Sequence, residues 1–364
     1  MKRRLKKKKA VSAVVVGTGL LALDVVVGAE NSAQAKFWAG GTCGNVLTAL
    51  SYLGWAAKPI ARLDTSSASD IVVSDLRRWR VSKEFIRVEP SGSTPIIVER
   101  ITKNSAGLPK HSFSWRCSGC GAPFPGYKPE LLSVTGEIAT RVSGVKVFFF
   151  DRVSAGAIQL AQAFAKANAV VVFEPSGIGN PILFRKAWEI AHVIKYSHER
   201  LSDLSEMEVA GSPRLIVETL GEAGLRYKLR SATAEGDHWV EVKSFSVMNL
   251  KDAAGAGDWC TAGIIAKLAP RGLKQFLSAS DKDVYSAIRY GQALATWNCG
   301  FEGPRGGMYS VTKAQFKQQV DEILSGTQHS FESKVAEQRT RRLESVLCRA
   351  CELSGSINST RKSS

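Results

Sequence analysis

The chain has 364 residues, 44% of them hydrophobic, and a formal net charge of +16 from 49 basic and 33 acidic residues. That length suits one large α/β domain or two ordinary ones, and the composition is that of a soluble globular protein, not a disordered or fibrous one. Beyond the first 30 or so positions no apolar run approaches the ~20 residues that a spanning helix needs, so no membrane role is expected.

The first nine positions, "MKRRLKKKK", hold seven basic residues. Such an end suits a phosphorylated ligand or a nucleic acid, and the simpler reading is a solvated charged tail; residues 1–10 are set apart as that tail. The chain offers no nucleic-acid-binding motif, so a nucleic-acid partner is not expected. The run up to "NSAQA" imitates a secretory signal, with a basic start, an apolar middle and a small-residue end. Asp24 argues against it, because a charge inside an inserting segment is costly, and Gly17 and Gly19 suit a strand end better; the expectation is a cytoplasmic protein.

Apolar runs of strand length then recur: "AVVVG", "LDVVV", "TPIIVERI", "VKVFFF", "AVVVFEP", "HVIKYS" and "RLIVETLG". Several precede helix-period segments such as "AGAIQLAQAFAKANA", "NPILFRKAWEIA" and "DWCTAGIIAKLA". Strands alternating with helices predict parallel βαβ units and an α/β sheet. Near-continuous apolar runs like "VKVFFF" suit strands covered on both faces. Between about 80 and 103 the pattern is more polar and alternating, as in a small β extension lying over a site. From 104 to 130 the composition shifts to Gly, Pro and Cys, an ordered insertion. The last stretch, "SGSINSTRKSS", lacks the apolar residues to order itself.

The segment "LKDAAGAGDWCTAGIIAKLA" carries the chemistry. Gly255 and Gly257 permit backbone angles that aim several N–H groups at one point, and a helix beginning there adds about half a positive charge. Such a cradle holds an anion, above all a phosphoryl group. Asp258 beside it would repel that group, but can accept a proton from an attacking hydroxyl, the pairing that phosphoryl transfer needs. The alternative is a simple turn with Asp258 capping a helix. Earlier, "FWAGGTCGNVLTALSYLGW" places Gly40, Gly41 and Gly44 before another apolar-periodic helix. There Asn45 offers a donor and an acceptor to hydroxyls, or caps a helix; Asp24 accepts from a diol, or closes a turn. Trp38 either stacks on a sugar face or packs in the core.

These segments, with "VVVFEPSG" and "IVETLGEAGLRY", occur in the order seen in the ribokinase-like (PfkB-type) carbohydrate and nucleoside kinases, which the chain resembles over roughly residues 11–325. The resemblance implies a three-layer α/β/α fold with a mainly parallel central sheet and a small β lid, ATP as phosphoryl donor, Mg or another divalent cation, and a sugar or nucleoside acceptor. It implies Asp258 as catalytic base; Gly255, Ala256 and Gly257 as anion hole; Asp24, Gly40, Gly41 and Asn45 as substrate-binding positions; and Thr219, Gly221, Gly224 and Asn298 around the nucleotide. The expected organisation is a kinase domain over 11–330, with lid strands around 36–45 and 80–103, then a C-terminal helix and disordered tail over 331–364. Pairing of lids edge to edge would give a homodimer. Two stretches depart from the pattern. The family's frequent Asn-x-x-Glu, linked to metal and phosphate handling, is replaced in "KYSHERL" by Ser197 and Arg200, with Glu199 one step early. The usual glycines after the second strand are missing from "RLDTSSASD". These departures leave open a second reading, a non-catalytic small-molecule-binding or regulatory protein on the same fold.

Of seven cysteines, Cys43, Cys260 and Cys299 read as reduced core or near-site thiols. The other four form two C-x-x-C units, Cys117/Cys120 and Cys348/Cys351, the short spacing that lets two sulfurs face one ion. A structural zinc stapling the insertion to the C-terminal segment is the expectation, with a redox pair or unpaired thiols as the alternative.

Overall fold

A computed structural model describes residues 12–28, 34–103, 105, 109–117, 120–201, 204, 213–230, 238–327 and 340–342. The strand-length runs become strands: β1 (Val14–Thr18), β2 (Ala22–Val27), β3 (Gln34–Gly40), β4 (Ala56–Leu63), β5 (Phe85–Val88), β6 (Ile96–Lys103), β7 (Pro109–Ser114), β8 (Val145–Phe150), β9 (Val170–Phe173), β10 (Val193–Ser197), β11 (Leu215–Thr219), β12 (Leu225–Leu229), β13 (Val240–Val242) and β14 (Thr340–Arg342). Between them lie α1 (Thr42–Tyr52), α2 (Ser67–Arg78), α3 (Leu132–Arg141), α4 (Ala155–Lys166), α5 (Pro181–Ile190), α6 (Ala256–Leu268), α7 (Leu273–Leu277), α8 (Asp281–Cys299), α9 (Gly306–Ser310) and α10 (Lys313–Ser325).

The described strands form two sheets. The larger runs β13-β12-β11-β10-β9-β8-β1-β4-β5. Its pairs from β11 to β5 are all parallel, and β12 and β13 close one edge antiparallel. Side chains on a strand alternate between faces, and here both faces are covered. Val147 and Phe149 of β8 enter one buried cluster, with α1, α6, α8 and α10; Phe148 and Phe150 enter the other, with α4 and α5. Three layers, helix–sheet–helix, follow from that alternation, as expected.

The chain leaves β1 toward β4 and β5 on one side of the sheet, then returns to build β8 to β11 on the other. The order therefore reverses between β1 and β8, and the crevice outside the carboxyl ends of strands at such a point is where open α/β sheets bind ligands.

The second sheet, β14-β3-β2-β6-β7, is smaller. β2 sits at its centre, antiparallel to β3 and parallel to β6. This is the expected lid, with different bounds. Thr42 already begins α1, so the expected 36–45 strand stops at Gly40. Phe85–Val88 pairs with β4 in the large sheet, so only the later part of 80–103 belongs to the lid. The expected insertion over 104–130 contributes a lid strand, β7. In the expected C-terminal helix and tail, the described residues Thr340–Arg342 are instead a strand antiparallel to β3; the rest of 331–364, like tail 1–10, lies outside the described residues. Among the described residues no helix is long and apolar enough to cross a membrane.

Candidate active site

The loop 252–257 is held from behind before it presents anything in front. Asp252 accepts from the N–H of Ala254 at 2.9 Å and of Gly303 at 2.7 Å. Gly255 is the residue before α6 and has φ 72; a Cβ there would meet the Pro304 carbonyl oxygen at 2.4 Å. Only glycine satisfies both constraints. Trp259, one turn into α6, donates its indole N–H to the same Pro304 carbonyl at 3.1 Å. The backbone of Ala256 and Gly257 thus opens α6 as the sequence predicted; the Ala256 N–H closes the loop on the Ala253 carbonyl at 3.2 Å, and the Gly257 and Asp258 N–H groups belong to the first turn, which has no carbonyl of a preceding turn to donate to.

Asp258 sits in that first turn, half-buried, and accepts from Asn45 Nδ2 at 2.8 Å. Asn45 comes from α1, whose entry runs through Gly40 and Gly41. A Cβ on Gly40 would lie 1.8 Å from Asp24 Oδ2, so the carboxylate of β2 rests directly on that backbone. The Gly41 N–H donates to the same carboxylate. The structure therefore brings Asp24, Gly40, Gly41, Asn45 and Asp258 into one continuous constellation across the lid and two helix N-termini. Asp24 lies within β2, not at its end.

Burial pushes the Asp258 carboxyl well above the usual aspartate range and the Glu174 charge adds to this, while Asn45, Lys195 and Arg200 pull the other way. Asp24 is likewise lifted by burial, to about 7, against the pull of Arg305 and the Gly41 N–H.

Several contributors escaped the sequence reading. Asp151 follows β8 at the reversal point; it accepts from the Leu20 N–H at 2.8 Å and pairs with Arg152 at 3.0 Å. Burial lifts its carboxyl to about 6. Lys195 of β10 donates to Glu174 Oε1 at 2.6 Å, and Thr261 of α6 donates to Glu174 Oε2 at 2.6 Å. The same Thr261 hydroxyl lies 3.1 Å from the Gly257 carbonyl, a second and longer acceptor for its one proton, so this buried network braces the first turn of α6 from below. Burial opposes the Lys195 charge, but the Glu174 carboxylate outweighs it and holds the ammonium above the usual lysine range. Arg305, fully buried, donates to the Ala39 carbonyl and to Asp75 at 2.9 Å, tying β3 of the lid to α2. A signal existed for some of these: a charge at the end of an apolar strand run ("VKVFFFD", "VVVFE"), or within one ("VIKYS"), is costly unless paired.

One expectation changes. Asn298, expected to line the adenine pocket, is fully buried and donates to the Ala254 carbonyl at 2.8 Å, so it supports the anion loop from behind. Of the two readings for Trp38 the structure has core packing: it is buried and stacks on Tyr309 with centroids 5.2 Å apart. The lost glycines after the second large-sheet strand are replaced by side-chain bonds to Asp64 from Ser69 at 2.8 Å and from the Ser66 and Thr94 N–H groups at 3.0 and 3.2 Å. Thr219 ends β11, and Gly221 and Gly224 lie in the turn that follows, closed by Leu220 N–H to the Gly224 carbonyl at 2.8 Å. That turn borders the 197–200 turn through His198 N–H to the Thr219 carbonyl at 3.0 Å.

The donor set does not fit a divalent ion held by the protein alone. Both Glu174 oxygens are engaged, Asp258 is bonded to Asn45, and the position after β10 carries Arg200. Among the described residues no three His, Cys, Asp or Glu side chains converge on a point. For the zinc expectation, Cys117 is buried and Cys120 exposed, while Cys348 and Cys351 lie outside the described residues.

Among solved structures, the chain is similar to an uncharacterized sugar kinase from Pyrococcus horikoshii at 17% identity and TM-score 0.60, covering 86% of this chain and 100% of that one. It is similar to a nucleoside kinase from Burkholderia thailandensis in complex with inosine at 18% identity and TM-score 0.59, covering 88% and 99%. It is also similar to Arabidopsis thaliana ribokinase complexed with ribose and ATP, at 14% identity and TM-score 0.59, covering 86% and 99%. No family model and no curated protein matches the chain. What is shared at such identity is the fold, the three-layer α/β/α arrangement with a small β lid that the motif resemblance implied.

Proposed function

We propose that the protein is an ATP-dependent phosphotransferase that moves the γ-phosphate to a hydroxyl of a sugar, sugar acid or nucleoside. One observation carries the reading. Asp258, at the mouth of α6, is bonded to Asn45, and Asn45 stands on the helix whose entry cradles Asp24. In this reading the linked residues supply a base, an anion-binding helix start and a diol acceptor. The solved neighbours include a sugar kinase, a nucleoside kinase and a ribokinase with ATP, which supports the same class of reaction and nucleotide.

In this reading Asp24, with the Gly40 and Gly41 backbone, holds the acceptor's hydroxyls. Asp258 takes the proton of the attacking hydroxyl as its oxygen bonds to the γ-phosphorus and the bond to the ADP oxygen breaks. The N–H groups of Gly257 and Asp258, at the start of the helix, stabilise the charge spread over the transferring group. Lys195, Glu174 and Thr261 keep the first turn of α6 in place. The turn 219–224 borders the nucleotide. A divalent ion, when present, would arrive with the triphosphate and supply further charge neutralisation.

The lifted Asp258 carboxyl favours the second reading, a non-catalytic binding protein on this fold, to the extent that it stays protonated. Incubation with γ-labelled ATP and a panel of sugars, sugar acids and nucleosides separates the two. Label transferred to at least one acceptor is the expected result; tight acceptor binding with no transfer at any pH would establish the binding protein.

A further inference from the structure

The charges around the mouth of α6 do not balance once the nucleotide arrives. Lys195 and Glu174 neutralise each other. Glu218 is taken by Arg226 and by His198 at 2.8 Å. Glu199 turns toward Gly221, its Oε1 3.9 Å from where a Cβ on that glycine would stand. Arg200 is left: exposed, with no ion pair among the described residues, in a turn closed by its own N–H to the Ser197 carbonyl at 3.0 Å.

The place of this turn is fixed from two sides. It follows β10, whose Lys195 Nζ lies 3.5 Å from the Cβ position of Gly257 in the anion loop. It also borders the Thr219 end of β11 and the turn expected at the nucleotide. The turn that carries Arg200 therefore lies beside the 219–224 turn, at the end of the strand whose lysine reaches the anion loop, and the Arg200 charge acts on Asp258.

We propose that Arg200 binds the polyphosphate of the nucleotide directly, and that this cation gives the chain affinity for metal-free triphosphate. The inference rests on the phosphotransferase reading and deepens it. An arginine fork suits phosphate oxygens in two-point contact, where a lysine offers only a point charge. A neutral protein centre would depend on a divalent ion to bring four negative charges to Asp258; a built-in cation relaxes that dependence.

The test is calorimetric binding of ATP, with adenosine as control, to the wild-type full chain, R200Q and R200K, each in excess EDTA and in excess Mg. Wild type is expected to bind ATP in EDTA nearly as well as in Mg. R200Q should lose about tenfold or more in EDTA, the scale of a charged hydrogen bond, and less in Mg. R200K should fall between, and adenosine binding should stay unchanged in all three. Because Arg200 is exposed, the variants are expected to fold, and an unchanged thermal midpoint checks this. Equal ATP affinity of wild type and R200Q in EDTA would overturn the inference, as would wild-type binding that appears only with Mg; both leave the kinase reading standing. Failure of the wild type to bind ATP in either buffer would sink the kinase reading, and the inference with it.

Discussion

At the scale of single residues, the account turns on how one carboxyl is tuned. Asp258 has to be ionised to accept a proton, yet burial lifts it, and the Asn45 amide is one of the groups that pull it back. Removing that donor removes a hydrogen bond that favours the charged form. Asn45→Ala is therefore expected to move the acid limb of the pH–rate profile to higher pH, with the plateau rate affected less. An acid limb that stays in place would show that the 2.8 Å bond does not govern the base. Legibility at this scale was uneven for a physical reason. Asp258, Gly255 and Gly257 were readable because their chemistry is local, packed into one loop. Asp151, Glu174 and Lys195 were legible only as costly charges in apolar runs; their partners were not, because each stands alone in sequence and only the parallel sheet brings strand ends together.

At the scale of elements, the anion loop is a short piece of backbone with a deep support. Its carbonyl at Ala254 receives the buried Asn298 amide, its Asp252 binds Ala254 and Gly303, and its Gly255 packs on Pro304. Asn298→Ala leaves a buried carbonyl unpaired, which costs about 1–3 kcal/mol. The expected outcome is a corresponding fall in unfolding free energy in denaturant, together with weaker nucleotide binding because the loop loses its brace. A stable variant that loses only adenine discrimination would instead return Asn298 to the nucleotide pocket. The sequence placed Asn298 near the nucleotide from its family position, while burial decided its partner. The lid shows a similar division. Its strands were legible as β, but which sheet Phe85–Val88 and Pro109–Ser114 join is set by long-range pairing that no local pattern encodes.

At the scale of the whole molecule, the crevice concentrates carboxyls that hold protons more tightly than ordinary ones. Burial lifts Asp24 from 3.8 to about 7 and Asp151 from 3.8 to about 6. Glu99 of the lid, hydrogen-bonded to Asp252, rises from 4.5 to about 9, through burial first and then the Asp252 and Asp24 charges. In each case the folded chain binds more protons than the unfolded one across that window, so stability falls as pH rises through it. The contribution is fully present below about pH 4 and is lost progressively toward pH 9. Thermal midpoints are expected to decline from mildly acid to alkaline pH, and Asp24→Asn should flatten the part of the slope between the two Asp24 values. A midpoint that rises over the same range would contradict the assignment of these groups as buried and proton-holding. The three-layer frame itself was the most legible feature, because continuous apolar runs such as "VKVFFF" admit few arrangements other than a strand covered on both faces.

The most direct test of the central claim is Asp258→Asn, assayed for transfer of labelled γ-phosphate to the best acceptor of the panel, with nucleotide affinity measured on the same sample. The account predicts a loss of about 10²–10⁴-fold in rate, the worth of a positioned general base, with ATP affinity nearly unchanged. A variant that transfers phosphate at the wild-type rate would contradict it.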